Sequence, residues 1–397
     1  MLLETLAQAG IKARFVGGVV RDALLGRPIA DIDLATPARP EEVAAALAKA
    51  GIKVVPTGLA HGTVTALVPP RHYEITTLRR DVETDGRRAR VAFDADWAED
   101  AARRDFTINA IYLDPDGTVH DPVGGLADLK AHRVRFVGEP ATRIAEDVLR
   151  VLRYYRFTAR FADGNGDPAA RAACRAAVPL LPKLSAERVA QELIRLLGVA
   201  NPVPVLQMMD EDRVLAEILP EALVGGKARL NRLDRLIAIE PEPDPLRRLA
   251  VLLMVDAARA AGVAERLRLP NAWRDRLIGL APPWPLDPAG DARGQRLALY
   301  RLGIQRYRDL VLLITAEGGV DDTRLIELLA LAAGWTAPAF PLAGRDVTAL
   351  GIPPGPRVGQ FLAEVRDWWE EGDFAADRAA CLEKLKKLTA GGSVLSG

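Results

Sequence analysis

Residues 13–38, ARFVGGVVRDALLGRPIADIDLATPA, decide the fold of the first part of the chain. A short apolar run precedes Gly17 and Gly18, where a strand turns into a helix and the free amides of the helix start attract an anion such as phosphate. Asp31 and Asp33 flank one apolar residue, so a strand projects both carboxylates from the same face, where they repel. The pair is therefore a candidate site for Mg²⁺ shared with substrate phosphates, the alternative being an exposed edge strand with solvated carboxylates.

Composition and length indicate a globular protein of several domains. The chain has 397 residues, of which 49% are hydrophobic, and its 53 basic residues balance its 53 acidic residues, so any nucleic-acid surface must be local. Cys174 and Cys381 are far apart and form neither a disulfide framework nor a zinc motif, which favours a reducing cytoplasm. The start of the chain lacks the pattern of a signal peptide, and the apolar runs are too short for a bilayer. We expect no membrane partner and no obligate protein partner.

Hydrophobic periodicity divides the chain into a mixed part and a helical part. Up to about residue 137, short runs rich in β-branched residues predict strands, namely RFVGG, IADIDLA, GIKVVPTG, HGTVTALV and HYEITTLR. The run RPEEVAAALAKAG predicts a helix between two of them. We expect a small mixed sheet with helices on one side, followed by an all-helical remainder in which residues 144–161, IAEDVLRVLRYYRFTARF, form one helix.

Three blocks of sequence resemble a known family. FVGGVVRD with DIDLAT, RRDFTINAIYLDPDGTVHDPVGG and IAEDVLRVLRYYRF occur in the order and spacing of the class II nucleotidyltransferases, which comprise CCA-adding tRNA nucleotidyltransferases and bacterial poly(A) polymerases. The resemblance covers about residues 13–195. It implies an α+β fold, with a polymerase-beta-like nucleotidyltransferase head at 1–138 followed by an all-α neck at 139–200, body at 201–335 and tail at 336–397.

The resemblance also implies an enzyme. It implies template-independent addition of CCA to the 3′ end of tRNA from CTP and ATP, with two Mg²⁺ ions and release of diphosphate. The alternatives are a poly(A) polymerase, an enzyme that adds only CC or only A, and a nucleotide- or RNA-binding protein that has lost catalysis. Poly(A) polymerases of this class tend to carry a basic Gly-Arg-Arg stretch soon after the aspartates, and its absence from VVPTGLAHGTVTALV favours tRNA maturation.

The resemblance assigns roles to individual residues. Asp31 and Asp33 match the catalytic, metal-binding aspartates, and Glu74 is either a third metal ligand or a surface glutamate. Asp105 is expected to bond a ribose hydroxyl. The residues expected to bind the nucleotide are Gly17, Gly18, Arg21, Arg104, Asp105, Asn109, Glu146, Asp147, Arg150 and Arg153.

The third block suits the recognition of bases. Cytosine and adenine each present an amine donor beside a ring-nitrogen acceptor, whereas uracil and guanine present the reverse order. A carboxylate that accepts and a guanidinium that donates therefore select C and A, and the family gives this role to the residues matching Asp147 and Arg150, with Glu146. Without the other blocks, a salt-bridged helix surface is the simpler interpretation.

Further segments resemble the family less specifically. Residues 82–102 are polar and match a loop that is flexible in relatives and takes part in the switch from C to A addition. Glu187 and Arg188 are expected to brace the junction of head and neck without a chemical role. Arg345 and Arg357 lie in the tail-like segment, near a predicted helix start, and are candidate RNA-binding residues.

Overall fold

A seven-stranded mixed sheet forms the first part of the protein. The computed structural model describes residues 1–29, 31–59, 62–85, 88–93, 95–162 and 164–391. The strands in this part of the chain are β1 (Arg14–Val16), β2 (Ile32–Thr36), β3 (Lys53–Gly58), β4 (Thr63–Val68), β5 (Arg71–Thr77), β6 (Arg80–Asp85), β7 (Arg88–Ala92), β8 (Tyr112–Leu113) and β9 (Val119–His120). The sheet has the order β3-β4-β5-β2-β1-β8-β9, and β6 and β7 form a separate antiparallel pair. The strand predictions for residues 14–77 are confirmed.

The centre of the sheet joins β2 to β5. These two strands are parallel, whereas the other neighbours in the sheet are antiparallel. The register places Asp33 opposite Glu74. Because paired residues of neighbouring strands project from the same face of a sheet, the two acidic side chains lie on one face.

Helices cover both faces of this sheet, so the expectation of helices on one side was wrong. The helices of this part are α1 (Leu2–Gln8), α2 (Gly18–Leu24), α3 (Pro40–Lys49), α4 (Trp97–Ala102) and α5 (Gly125–Lys130). Leu34 of β2 packs in a cluster with Leu6 of α1 and Leu47 of α3. The next residue, Ala35, packs on the opposite face in a cluster with Ala101 of α4. The strand is apolar on both sides at this point, and each side requires its own cover.

The rest of the described chain is helical, as predicted. Its helices are α6 (Pro140–Glu146), α7 (Leu149–Phe161), α8 (Pro168–Ala177), α9 (Ala186–Leu197), α10 (Val203–Glu211), α11 (Val214–Ile218), α12 (Ala228–Ile239), α13 (Pro245–Leu253), α14 (Ala257–Arg266), α15 (Asn271–Gly279), α16 (Ala292–Leu302), α17 (Ile304–Ala316), α18 (Asp322–Ala333), α19 (Gly344–Thr348), α20 (Pro356–Glu371) and α21 (Arg378–Gly391). Among the described residues, no helix is both long and apolar enough to cross a membrane.

One predicted helix is interrupted. Helix α6 ends at Glu146 and α7 begins at Leu149, because Asp147 between them adopts an extended backbone with φ −152° and ψ 107°. The carboxylate of Asp147 accepts the amide of Leu149 at 3.1 Å, the local bond by which an aspartate competes with a continuing helix and starts a new one. The prediction of one continuous helix over 144–161 was therefore wrong at this position.

The chain forms two compact units. The first comprises residues 1–237, 242–253 and 262–270, and the second comprises 238–241, 254–261 and 271–397. In the first unit, Phe106, Phe136, Tyr154 and Phe157 form a buried aromatic cluster that joins the sheet region to α7. In the second unit, Trp369 of α20 is buried in a cluster with Val347 of α19 and Leu385 of α21. The division into head, neck, body and tail stays a prediction.

Candidate active site

The turn between β1 and α2 is built around Gly17. Its φ of 74° and ψ of −124° suit glycine alone, and a Cβ there would lie 3.6 Å from the carbonyl oxygen of Asn109 and 3.7 Å from a guanidinium nitrogen of Arg104. Gly18 begins α2, so the amides of the first turn of this helix border the same space. The positive φ of Gly17 is therefore what requires glycine at this turn.

Three acidic residues lie at the start of β2 and on the neighbouring strand β5. Asp31 precedes β2 and is exposed, Asp33 on β2 is half-buried, and Glu74 on β5 is exposed at the register of Asp33. Burial raises the pKa of Asp33, and the Glu74 and Asp31 carboxylates raise it further, while Arg104 opposes them. Asp33 is therefore repelled by both neighbouring carboxylates, as the sequence predicted for the aspartate pair.

This acidic group suits a divalent cation in combination with substrate. Among the described residues, no three His, Cys, Asp or Glu side chains stand in an arrangement that could hold a metal ion by themselves. Mg²⁺ usually takes one or two carboxylates and completes its shell with water and substrate phosphates. Burial is the main cause of the raised pKa of Asp33, the Glu74 and Asp31 carboxylates add to it, and a bound cation would favour the ionised form against both effects. The donor set therefore fits Mg²⁺ in the presence of a nucleoside triphosphate.

Arg104, which interacts electrostatically with Asp33, is anchored by Asp100. Its guanidinium donates to Asp100 at 2.9 Å and lies 5.4 Å from the centre of the Tyr112 ring, while the Tyr112 hydroxyl donates to the same carboxylate at 2.7 Å. Burial alone would raise the pKa of Asp100, but Arg104 and Arg103 lower it. Asp100 thus stays ionised and holds Arg104, whose positive charge offsets part of the negative charge at Asp33.

Asp105 is the centre of a second hydrogen-bonded group. Its carboxylate accepts from Arg153 at 2.8 Å, from the side-chain amide of Asn109 at 3.0 Å and from the backbone amide of Phe106 at 2.8 Å. Burial alone would raise the pKa of Asp105, but these donors, led by Arg153, lower it to about 2. The structure therefore brings three residues predicted from the sequence into one contiguous group.

Arg21 supports this group from the interior. It donates to the side-chain oxygen of Asn109 and, at 2.9 Å, to Asp22, and it stacks 4.2 Å from the centre of the Phe161 ring. The residue is only 5% exposed, and burial lowers the pKa of its guanidinium. Arg21 thus orients Asn109, and one of its guanidinium nitrogens also lies beside the glycine turn, 3.7 Å from where a Cβ at Gly18 would stand.

Glu146 and Arg150 face each other across the break between α6 and α7. The guanidinium of Arg150 donates to Glu146 at 2.5 Å, to the carbonyl of Arg143 at 2.7 Å and to the carbonyl of Arg103 at 3.2 Å. Glu146 and Arg150 thus form an ion pair, as in the alternative interpretation of a salt-bridged helix surface, although the helix is interrupted. Through Arg103 it is tied to the segment that carries Arg104 and Asp105.

Asp147 is paired with Arg188, a residue predicted only to brace the junction of head and neck. Arg188 of α9 donates to one carboxylate oxygen of Asp147 at 2.6 Å, and the other oxygen accepts the amide of Leu149. The side chain of Asp147 is 27% exposed, so it remains open to a ligand on one side. A basic residue on the helix after the third block was the only sequence signal for this contact.

The remaining predictions concern residues of the second unit and a segment that is only partly described. Arg345 on α19 and Arg357 on α20 are both exposed and belong to the second unit. The segment 82–102, predicted as a loop, contains most of the β6–β7 pair and α4, while residues 86–87 and 94 lie outside the described residues. Its role in nucleotide choice stays a prediction.

Family models match two parts of the chain. Residues 13–135 match the model described as the poly A polymerase head domain. Residues 167–224 match the model described as the probable RNA and SrmB-binding site of polymerase A. The first match spans the glycine turn, the acidic group and Asp105.

Curated proteins and solved structures match nearly the whole chain. The human mitochondrial CCA tRNA nucleotidyltransferase 1 is 34% identical over 97% of this chain and 89% of its own length. The CCA-adding enzyme of Limosilactobacillus fermentum is 33% identical over 98% of this chain and 96% of its own length. The crystal structure of the Bacillus stearothermophilus CCA-adding enzyme in complex with CTP superposes with a TM-score of 0.80 at 30% identity, covering 99% of this chain and 97% of the other.

Proposed function

The chain belongs to the family of CCA-adding tRNA nucleotidyltransferases, and we propose that it adds C, C and A in turn to the 3′ end of tRNA from CTP and ATP. One observation in the structure carries the proposal. The segment 103–105 connects the acidic group to the residues proposed to bind the nucleotide. Arg104 faces Asp33. The carbonyl of Arg103 accepts a hydrogen bond from Arg150, and the carboxylate of Asp105 accepts one from Arg153. The residues proposed for nucleotide choice and those proposed for transfer are thereby joined through one short segment.

The reaction is a nucleotidyl transfer. The 3′ hydroxyl of the RNA forms a bond to the α-phosphorus of the nucleotide as the bond to the β-phosphate breaks and diphosphate leaves. We propose that Asp31 and Asp33 hold Mg²⁺, with Glu74 at the neighbouring register as a further ligand. When bound, two such ions neutralise the triphosphate and assist both the attacking and the leaving oxygen. The glycine turn and the first amides of α2 contribute uncharged donors for phosphate oxygens.

Selection of C and A is assigned to Asp147 and Arg150. A carboxylate accepts from the exocyclic amine of either base, and a guanidinium donates to the neighbouring ring nitrogen. Glu146 and two backbone carbonyls support the orientation of Arg150, and Arg188 supports that of Asp147. Amino-acid side chains then take the place of a template strand.

Recognition of the sugar is assigned to the group around Asp105. In this structure its carboxylate accepts bonds from Arg153, Asn109 and Phe106, so a ribose hydroxyl binds there by replacing or sharing one of these donors. We place Arg345 and Arg357 on the RNA surface of the tail, following the division into head, neck, body and tail. A cytoplasmic location is part of the proposal, supported by Cys174 and Cys381, which are both free and buried.

Incorporation of single nucleotides tests the proposal. Each labelled nucleoside triphosphate is supplied with Mg²⁺ to tRNA transcripts that end at the discriminator base, after CC or after CCA. We expect two C, then one A, then a stop. Repeated addition of A, also to other RNA 3′ ends, would identify a poly(A) polymerase, and a halt after CC or activity on the CC transcript alone would identify a partial enzyme. Asp31→Ala with Asp33→Ala should abolish incorporation and leave tRNA binding intact, whereas undiminished incorporation would contradict the assignment of the metal site.

A further inference from the structure

A basic cleft opens beside Asp31, and the nucleotide site does not account for it. The cleft has a volume of about 1060 Å³, above the range of about 300–1,000 Å³ that small-molecule sites occupy. Its charged lining consists of Arg27, Arg156, Arg160, Arg195 and one acid, Asp31. All of these residues belong to the first compact unit. The cleft thus extends to Asp31, one of the two proposed catalytic aspartates, and its other charged lining residues are all arginines.

The arginines come from three separate segments, and an aromatic ring joins two of them. Arg27 follows α2, and its guanidinium donates to the carbonyl of Arg160 on α7 at 3.1 Å. Both guanidinium groups lie against the ring of Phe161, at 4.9 Å for Arg27 and 5.1 Å for Arg160. Arg195 approaches from α9. Arg27 and Arg160 therefore hold each other in place, although they are distant in sequence.

The carboxylates around the cleft do not neutralise it. Arg156 is buried and paired with Glu192 at 2.5 Å, and Arg160 pairs with Asp22 at 3.2 Å, a carboxylate that it shares with Arg21. Among the residues that the structure describes, Arg27 and Arg195 have no carboxylate partner. Two planar guanidinium groups consequently remain to bind phosphate oxygens in the cleft.

We infer that this cleft binds backbone phosphates of the RNA strand whose 3′ end reaches Asp31. The residues assigned to the incoming nucleotide, Asp105, Asp147 and Arg150, do not line it, so the cleft reaches the acidic group by a path of its own. A strand carries one negative charge per nucleotide, and contacts from arginine to phosphate position RNA without regard to sequence. The same arginines would also suit the triphosphate of a nucleotide, so the test must separate the two sources of phosphate. The inference rests on the proposed function.

Charge reversal in the cleft provides the test. Arg195→Glu and Arg27→Glu are measured by steady-state addition of CMP, with the tRNA transcript and CTP varied separately at several KCl concentrations. The control is Lys49→Glu, which makes the same change of charge at an exposed residue of α3 outside the cleft lining. We expect each cleft variant to raise the KM for tRNA at least tenfold with the KM for CTP changed less than twofold. The slope of log KM for tRNA against log KCl concentration should fall by about 0.7 for each phosphate that the variant no longer binds. Lys49→Glu should change neither KM by more than twofold.

The possible outcomes are distinguishable. A raised KM for CTP with an unchanged KM for tRNA would assign the cleft to the triphosphate and overturn the inference, as would two unchanged KM values. Arg195→Gln and Arg27→Gln remove the charges with little change of size, and a smaller rise in the KM for tRNA, in the same direction, supports the inference if a reversal variant fails to fold. If the parent protein itself adds neither C nor A, the proposed function fails; if the parent is active and the variants behave as the control, only this inference fails.

Discussion

Arg188 on α9 holds Asp147 at the break between α6 and α7, with 2.6 Å between the guanidinium nitrogen and the carboxylate oxygen. The second oxygen of Asp147 accepts the amide of Leu149, so the carboxylate is fixed from two sides. A group that distinguishes bases by the direction of a hydrogen bond must keep one orientation. Under the proposed base-reading role of Asp147, the contact links a helix outside the three sequence blocks to the choice of nucleotide.

Replacing Arg188 should relax the choice of base. In Arg188→Ala, Asp147 loses a charged donor and gains freedom to rotate, so we expect the ratio of UTP to CTP incorporation to rise about tenfold, equivalent to about 1.4 kcal/mol of discrimination. The KM for tRNA should stay within twofold. Glu187→Ala is the matched control, since Glu187 lies next to Arg188 on α9 and pairs with the exposed Arg268. Selection that is unchanged in Arg188→Ala but relaxed in Asp147→Ala would show that the contact is structural only.

Removing negative charge from the acidic group should stabilise the metal-free protein. Burial and Glu74 raise the pKa of Asp33, so its ionised side chain is less stable in the folded protein than in the unfolded chain. We expect Asp33→Asn to increase the free energy of unfolding by about 1 kcal/mol and to abolish incorporation. Scanning calorimetry without divalent ions measures the first effect, and Glu41→Gln, at an exposed position of α3, is the control. A lower transition temperature for Asp33→Asn would contradict the repulsion among these carboxylates.

Mg²⁺ should reverse this order of stability. Addition of Mg²⁺ with CTP should raise the transition temperature of the parent protein, because ligands that bind only the folded state stabilise it. The same addition should have little effect on Asp33→Asn, which has lost one of the proposed ligands. An equal rise in both proteins would place the metal elsewhere.

The sequence predicted the sheet and the helical remainder because both follow from local patterns. Short β-branched runs between glycine and proline, and later an apolar period near 3.6, are properties of contiguous residues. The break at Asp147 was missed because i, i+4 spacing favours one helix, whereas the competing bond from Asp147 to Leu149 is stabilised by Arg188, a residue 41 positions away. A contact between distant segments therefore favoured the break at Asp147 over a continuous helix.

The features of the site likewise divide into those that contiguous residues indicate and those that depend on packing between distant segments. The residues around the glycine turn and the acidic pair occur in short motifs, so the sequence indicated them. The basic cleft joins Arg27, Arg160 and Arg195, which only the packing of α7 and α9 against the segment after α2 brings together. The burial of Arg21 was equally invisible, since its stacking on Phe161 is a contact between distant segments. Motifs identify chemistry, while packing determines which members of a motif face the ligand.

Asp105 should contribute a pH-dependent part of the stability. Its folded-state pKa of about 2 lies below the ordinary value of 3.8, so its contribution is fully present above about pH 4 and is lost as the pH falls towards 2. The difference corresponds to about 2 kcal/mol at neutral pH. We expect Asp105→Asn to lower the free energy of unfolding by about this amount at pH 7, and the gap from the parent should shrink at pH 3. A gap that is the same at both pH values in urea denaturation would contradict the charged pairing, and a double-mutant cycle with Arg153→Gln measures the pair directly.

Two helical glycines should respond in opposite directions to the same substitution. Gly125 begins α5, and a Cβ there would collide with the carbonyl of Thr107 and lie 2.9 Å from Cγ1 of Ile111. Gly359 lies inside α20, where a Cβ meets nothing within 4 Å. We expect Gly359→Ala to stabilise the protein by up to about 1 kcal/mol through helix propensity.

Gly125→Ala should destabilise it by several kcal/mol, because Thr107 must move. Thr107 begins the turn that ends at Asn109, so the shift reaches a donor to Asp105, and we expect the KM for CTP to rise in Gly125→Ala but not in Gly359→Ala. Thermal unfolding and steady-state kinetics of both variants measure the two effects. Loss of stability with an unchanged KM for CTP would show that the position of this turn does not affect nucleotide binding at Asp105.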